Sequence, residues 1–184
     1  MRGVLVVGAG GGLELKVFAE QQPHWHFVGV DPSAEMLALA KVTLGTHASR
    51  VKFHEGYIDT APEGPFDAAT CLLTLHFVPA EERLWTLTEI HRRLRPGAPL
   101  IVAHHSFPQG KDEKARWLDR FAAFAVASGI PLSTARSAVE GISTKLRVLS
   151  PEQDEALLLE AGFGSVELFF SGFTFKGWIA YKQA

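Results

Sequence analysis

The chain opens on a glycine-rich loop between two apolar segments, and that arrangement constrains its fold more than any other feature. Val4, Leu5, Val6 and Val7 form an unbroken apolar run, the pattern of a strand buried on both faces of a parallel sheet. The run passes into Gly8-Ala9-Gly10-Gly11-Gly12, and residues 13–18 then carry helical periodicity. A strand, a glycine turn and a helix in that order build a nucleotide site. Glycine lets the backbone turn tightly and admits a ligand where a Cβ would clash, and a helix N-terminus offers N–H groups. A second apolar run, residues 27–30, ends in Asp31, where a carboxylate accepts both hydroxyls of a ribose.

The glycine spacing separates two cofactor classes. A dinucleotide fingerprint, Gly-x-Gly-x-x-Gly, places its third glycine on Leu13 here, whereas the chain offers Gly8-x-Gly10-x-Gly12. With 184 residues, 47% hydrophobic and 21% charged, one globular domain spanning 1–184 with a proper core is expected. The net charge of −2 gives no general pull toward nucleic acid. The lone Cys71 excludes an internal disulfide, and a reducing cytoplasm fits. The sequence shows no secretory signal pattern and no apolar run of membrane-spanning length, so no membrane is expected among its partners.

Ser33 is placed to cap a helix running to Leu44, with Met36, Leu37, Leu39 and Ala40 as its apolar side. Residues 51–54 read as a third strand, 57–65 as a loop and 66–73 as a fourth strand. Pro79 starts a helix with Leu84, Leu87, Ile90 and Leu94 inward. Arg92, Arg93 and Arg95 near its end meet the negative pole of the helix dipole and are read as structural. Pro96-Gly97 stops that helix before a fifth strand at 100–104. A helical insert of about 107–149 follows, with Trp117, Leu118, Phe121, Phe124 and Ala125 on one face and a second, short helix beyond Gly129-Ile130-Pro131. Ser150-Pro151 opens a last helix that Gly162 ends. Residues 165–170 and 173–181 are joined so closely, around Ser171-Gly172, that they must pair antiparallel.

βα units that close in an antiparallel hairpin give an α/β fold, a mostly parallel seven-stranded sheet. The segments VLVVGAGGG, FVGVDPSAEML, FDAATCLLTLHFV, EIHRRLRPGAPLIV, LLLEAGFGSVELFF and GWIAYK, covering essentially the whole chain, resemble the Rossmann-like class I S-adenosylmethionine methyltransferases. The nearest dehydrogenase rivals, the short-chain reductases, need a Tyr-x-x-x-Lys pair, and neither Tyr57 nor Tyr181 has lysine four residues on.

The resemblance implies S-adenosyl-L-methionine as cofactor and an in-line methyl transfer to a small molecule or a modified base. The enzyme's main task in such a reaction is to hold nucleophile and methyl group in a near-attack pose. By the same resemblance, Gly8, Ala9, Gly10 and Gly12 line the methionine and ribose, and Asp31 with Pro32 meets the ribose hydroxyls. Met36 packs on adenine, Glu55, Gly56 and Tyr57 hold its edge, and Leu73 and Thr74 lie beside the sulfonium. Three positions depart from the family pattern. Many relatives carry an acid where this chain has Val6, an aspartate where it has Tyr57, and a polar residue where strand four ends in Cys71-Leu72-Leu73. Each departure removes a hydrogen bond worth about 0.5–1.5 kcal/mol when neutral. Asp59 is placed to restore part of the adenine contact.

His54, His76, His104 and His105 fall near the carboxyl ends of strands three to five, the edge where open α/β sheets bind ligands. No metal-ligand spacing joins them, so no metal is expected. His76 and His104 are the candidates for a base or acceptor-orienting role, and His105 for substrate contact. His24, His26, His47 and His91 receive no role. LTLHFVPAEER and FTFKGWIAYK look most like bacterial enzymes that carboxymethylate the wobble uridine of tRNA with carboxy-S-adenosyl-L-methionine. In that group an Arg-Ser-x-x-Glu arginine binds the extra carboxylate, and Arg136-Ser137-Ala138-Val139-Glu140 fits the pattern. A carboxymethyl-transferring, tRNA-modifying enzyme is therefore one alternative, and a non-catalytic binding module of the same fold is the other. The family generally has a helix before strand one, often with a lid, and three residues precede the strand here. An open pocket is expected, covered by the insert, by a partner, by a second copy in a homodimer or by residues upstream.

Overall fold

The computed structural model describes residues 2–183. Seven strands form one sheet in the order β3-β2-β1-β4-β5-β7-β6. At its centre β1 (Arg2–Val7) pairs in parallel with β2 (Trp25–Asp31) and with β4 (Ala68–Leu72), and β3 (Val51–Glu55) continues the parallel run beyond β2. β5 (Pro99–His105) lies parallel to β4, whereas β7 (Phe175–Lys182) pairs antiparallel with both β5 and β6 (Phe163–Gly172).

The apolar run of β1 is buried on both sides, as a central parallel strand demands. Val4 and Val6 face α1 (Leu13–Gln21) and α2 (Ala34–Leu44), where Leu15, Ala19, Leu37 and Leu44 close one core cluster. Leu5 and Val7 face the opposite cluster with Leu87 and Ile90 of α3 (Ala80–Arg93) and Leu158 of α6 (Pro151–Glu160). Burying each such aliphatic side chain contributes roughly 1.5–3 kcal/mol. Local signals set the helix ends. Ser33 Oγ accepts the Met36 N–H at 3.2 Å, and a reciprocal Ser150–Gln153 capping box precedes Pro151.

The β3-to-β4 crossover is a loop, as expected, with one 3-10 turn at Ile58–Thr60. Three expectations about elements change. Phe66 stands outside β4 because its N–H donates to Arg93 C=O and its own C=O accepts from Arg95, a bridge to the end of α3. The helix after Pro131 is long, α5 (Leu132–Lys145), and packs on α4 (Lys111–Ala127). The hairpin turns at Phe173-Thr174 because Gly172 still pairs with Phe175 across the ladder. Among the described residues, no helix is long and apolar enough to cross a membrane.

Candidate cofactor site

The sheet order reverses between β1 and β4, and at such a switch point the carboxyl ends of the strands open a crevice. The glycine loop crosses that crevice. The N–H groups of Gly8 and Ala9 both donate to Val30 C=O, at 2.8 and 2.9 Å, which folds the loop back over β2. Gly8 has φ +74° and Gly12 φ +79°, a region L side chains rarely enter. A Cβ on Gly8 would also collide with the Thr74 side chain, and one on Gly12 would come within 2.8 Å of Ala40. The glycines are thus required by backbone sign and by close approach together. Gly12 caps α1 without any side-chain hydrogen bond to the helix N-terminus.

Asp31, at the end of β2, organises the loop's polar edge. Its Oδ2 accepts the Gly10 N–H at 2.9 Å and its Oδ1 accepts the Ser33 N–H at 3.0 Å, while its C=O accepts from Gly56 at 3.1 Å. One bond to each carboxylate oxygen leaves acceptor capacity on both. A cavity of about 560 Å³ opens beside this loop. Val7, Gly8, Val30 and Pro32 form its strand-end wall, and Gly56, Tyr57, Ile58 and Asp59 its second wall. Thr74, Phe77, Glu82 and Trp85 belong to the side contributed by β4 and α3. Tyr57, Phe77 and Trp85 are exposed at 68, 69 and 46%, so aromatic surface rims an open cavity.

Arg93 fixes the wall that carries Asp59. Its fully buried guanidinium donates to the C=O groups of Asp59 and Ala61 at 2.9 and 3.2 Å and is held by Glu89 Oε2 at 2.5 Å. The dipole-facing arginine of the sequence reading therefore shapes the cavity from behind. Arg92, by contrast, lies outside and pairs with Glu63 and Glu89.

The expected site residues divide by placement. Gly8, Pro32, Gly56, Tyr57 and Thr74 line the cavity, while Ala9, Gly10, Gly12 and Asp31 build the loop beside it. Met36 covers the outer side of the loop, its Cε 3.6 Å from where a Gly10 Cβ would be. Glu55 and Leu73 are exposed and lie off the cavity lining, and Leu73 takes φ +54° with its N–H bound to Ala103 C=O at 2.6 Å.

The histidines sit deeper than the sequence reading placed them. His104 is 1% exposed, with Nε2 3.2 Å from Asp154 Oδ1 and its ring 5.5 Å from Trp178, on the α3 and α6 side of the sheet. His76 is also buried, and its Nδ1 accepts the His105 N–H at 3.2 Å. Burial, with His105, His104 and Arg83 nearby, pushes His76 down to about 3. Neither ring lines the cavity, which corrects the expected placement of both beside the cofactor. The parity of β5 turns His104 to the α6 side, and His76, on the 3-10 turn Leu75–Phe77, turns inward to the His105 N–H. His105 stacks on Phe175 at 4.0 Å and meets Thr174 Oγ1 at 2.9 Å, and burial lowers it to about 4. Arg136 is exposed on α5, and no residue of α4 or α5 lines the cavity, so neither the arginine nor the insert reaches it.

Phe77, Glu82 and Trp85 escaped the sequence reading because only the crossover brings the start of α3 to the cavity. Asp154 escaped it too, its one signal being an acid on the inward side of a helix. Among the described residues, no group of three His, Cys, Asp or Glu is arranged to hold a metal.

A family model described as a methyltransferase domain matches residues 4–97, the glycine loop through the turn before β5. The chain belongs to this methyltransferase domain family. It is 30% identical over 164 residues to a carboxy-S-adenosyl-L-methionine synthase of Chromohalobacter salexigens, a match covering 85% of this chain and 58% of that protein. A probable methyltransferase, ltbC, of Aspergillus luteorubrus is 29% identical across 97% of this chain and 66% of its own length. The fold is also that of the S-adenosylmethionine-dependent methyltransferase SibL, with TM-score 0.73 and 19% identity over 100% of this chain and 51% of that one. The chain thus spans between half and two thirds of these three proteins.

Proposed function

We propose that this protein binds S-adenosyl-L-methionine at the glycine loop and transfers its methyl group to a small-molecule acceptor. One observation carries the reading: three left-handed glycines, tied together by Asp31, form a backbone loop at the switch point whose Gly8 enters the cavity lining. The names of the Chromohalobacter relative and of SibL both contain S-adenosylmethionine, which supports the same cofactor class. When bound, the cofactor supplies a methyl group already activated by the sulfonium. The chain's residues do the rest. Asp31 accepts hydrogen bonds from the ribose hydroxyls, and Gly56, Tyr57 and Ile58 enclose the base against Pro32. Thr74, packed over Gly8, fixes where the reacting group lies. Such a reaction depends chiefly on this positioning, and a base is needed only for an acceptor that keeps its proton near neutrality. The cavity lining offers Asp59 and Glu82 for that task and no histidine.

The Chromohalobacter relative is named as a synthase of carboxy-S-adenosyl-L-methionine, so a carboxylated ligand at this site, as product, is a second reading. Against it, the cavity lining contains no lysine or arginine to hold an added carboxylate. The acidic side chains of that lining and the net charge of −2 likewise disfavour tRNA as acceptor. A cytoplasmic location fits a cofactor made and used inside cells and a free, buried Cys71. Isothermal titration with S-adenosyl-L-methionine and with its carboxylated form decides between the cofactors. Tighter binding of the former, weakened in Asp31→Ala, is the expected result, and no binding of either overturns the assignment.

A further inference from the structure

Glu14 is a carboxylate that the cofactor reading leaves without a task. It is the second residue of α1, directly behind the glycine loop, and its Oε1 accepts a hydrogen bond from Thr70 Oγ1 on β4. Thr70 is the register partner of Val6 on β1. The carboxyl therefore lies beside the Val6–Thr70 pair, between the strand that ends at Gly8 and the strand whose extension, Leu73-Thr74, covers Gly8. No cationic side chain among the described residues is within ion-pair distance of it. Lys16 on the same helix pairs with Glu20 at 3.7 Å. From β4 it faces Cys71, whose buried thiol stays neutral, pushed up to about 12. Across the loop, Asp31 is tied to Gly10 and Ser33.

We propose that Glu14 is a positioning residue for the cofactor, losing its proton to solvent when a ligand bearing an ammonium and a sulfonium settles on the glycine loop. The proposal rests on the cofactor reading above. The physical logic is linkage. Burial opposes the charged form and outweighs the Thr70 hydrogen bond and the favourable position in the first turn of α1, so the carboxyl is lifted to about 7. A positive charge arriving within ~4–6 Å favours the ionised form. Binding and deprotonation then favour each other, and by reciprocity the ligand binds more tightly as pH rises through neutrality. The only covalent change is the carboxyl O–H bond, whose proton passes to buffer. An ionised Glu14 keeps Thr70 as its donor, so the same contact that locks α1 to β4 persists in the bound state and holds the loop in place.

The test is calorimetry of S-adenosyl-L-methionine binding to the full chain in phosphate and in Tris between pH 6 and pH 8. The wild type should release part of a proton near pH 7, seen as a buffer-dependent heat, and gain about tenfold in affinity across the range, one pKa unit of coupling being one factor of ten. Glu14→Gln should bind with no buffer dependence and a flat pH profile, an effect that a purely structural contact would not produce. If that variant does not fold, Thr70→Val decides. It keeps the carboxylate and removes its donor, so the midpoint of the affinity profile should move to higher pH. Buffer-independent heats in the wild type, or an unmoved midpoint in Thr70→Val, overturn the role of Glu14 while leaving the cofactor assignment standing. No binding at any pH overturns both.

Discussion

The two ends of the carboxyl edge of this sheet are built on different principles. Over β1 and β2 the site is made from backbone: left-handed glycines, main-chain N–H groups folded onto Val30, and one carboxylate that ties the loop together. Over β5 and β7 the same edge is filled by side chains. His76, His104 and His105 are buried with Phe175 and Trp178, and Arg83 and Asp154 lie beneath them. The fully buried Arg83 donates to Val78 C=O at 3.1 Å and to Arg147 C=O, and its Nη1 lies 3.7 Å from Asp154 Oδ1. The first end leaves room for a ligand. The second has used its polar groups to join β5, α3, α6 and the segment after α5. Nearness to the ligand-binding edge therefore does not make a polar residue functional. What matters is whether the side chain reaches the cavity or is sealed in the core, as His104 and Asp154 are.

That contrast can be broken most directly in the buried network. Arg83→Met leaves Asp154 without its cation, and losing one partner of a buried pair costs about 3–5 kcal/mol. Urea unfolding should show this loss, while the remaining folded protein still binds S-adenosyl-L-methionine. Loss of binding in the folded fraction would show that the two ends are one unit.

The loop end should respond in the opposite sense. Asp31→Ala removes charged hydrogen bonds worth about 1.5–3 kcal/mol, so cofactor affinity should fall by about 10- to 100-fold in calorimetry. Because Asp31 also holds Gly10 and Ser33, a smaller drop in melting temperature should accompany it. Unchanged affinity would remove the carboxylate from the site.

The histidines give the contrast a pH signature. His76 and His105 are held below their ordinary value by burial, to about 3 and about 4. Unfolded, each takes up a proton near pH 6.5, so the unfolded chain binds more protons below that pH. Their contribution is complete above about pH 6.5 and is lost as pH falls toward 4 and then 3. Stability measured from pH 7 to pH 4 should decline, and His76→Leu should flatten the decline. A His76→Leu profile parallel to wild type would place the acid sensitivity elsewhere.

The smallest effect is expected at Arg136. Exposed on α5 and away from the cavity, it should change stability on substitution with alanine by no more than about 0.5 kcal/mol. Affinity for S-adenosyl-L-methionine should be unaltered too. A selective loss of affinity for the carboxylated cofactor would revive the alternative chemistry.

The local signals in this chain were enough for the element order and the loop. The run Val4 to Val7 reads as a doubly buried strand because burial on both faces requires unbroken apolar sequence. Gly8, Gly10 and Gly12 read as a tight turn because glycine alone takes positive φ freely. Asp31 reads as its anchor because the end of the second strand is fixed by the first. Ser33 and Ser150 mark helix starts through hydrogen bonds that span only three residues. These readings depend on neighbours in sequence, so the sequence contains them in full. Tertiary structure alone decided where polar side chains point once strands and helices had packed. His104 sits at the expected strand end and faces Asp154, fifty residues away, because strand parity and the docking of α6 set its surroundings. Trp85 and Glu82 reach the cavity only through the crossover to α3, and Glu14 meets Thr70 only because β4 pairs with β1. The free energy of such a group depends on partners brought from afar, and no window of sequence holds both halves of the contact.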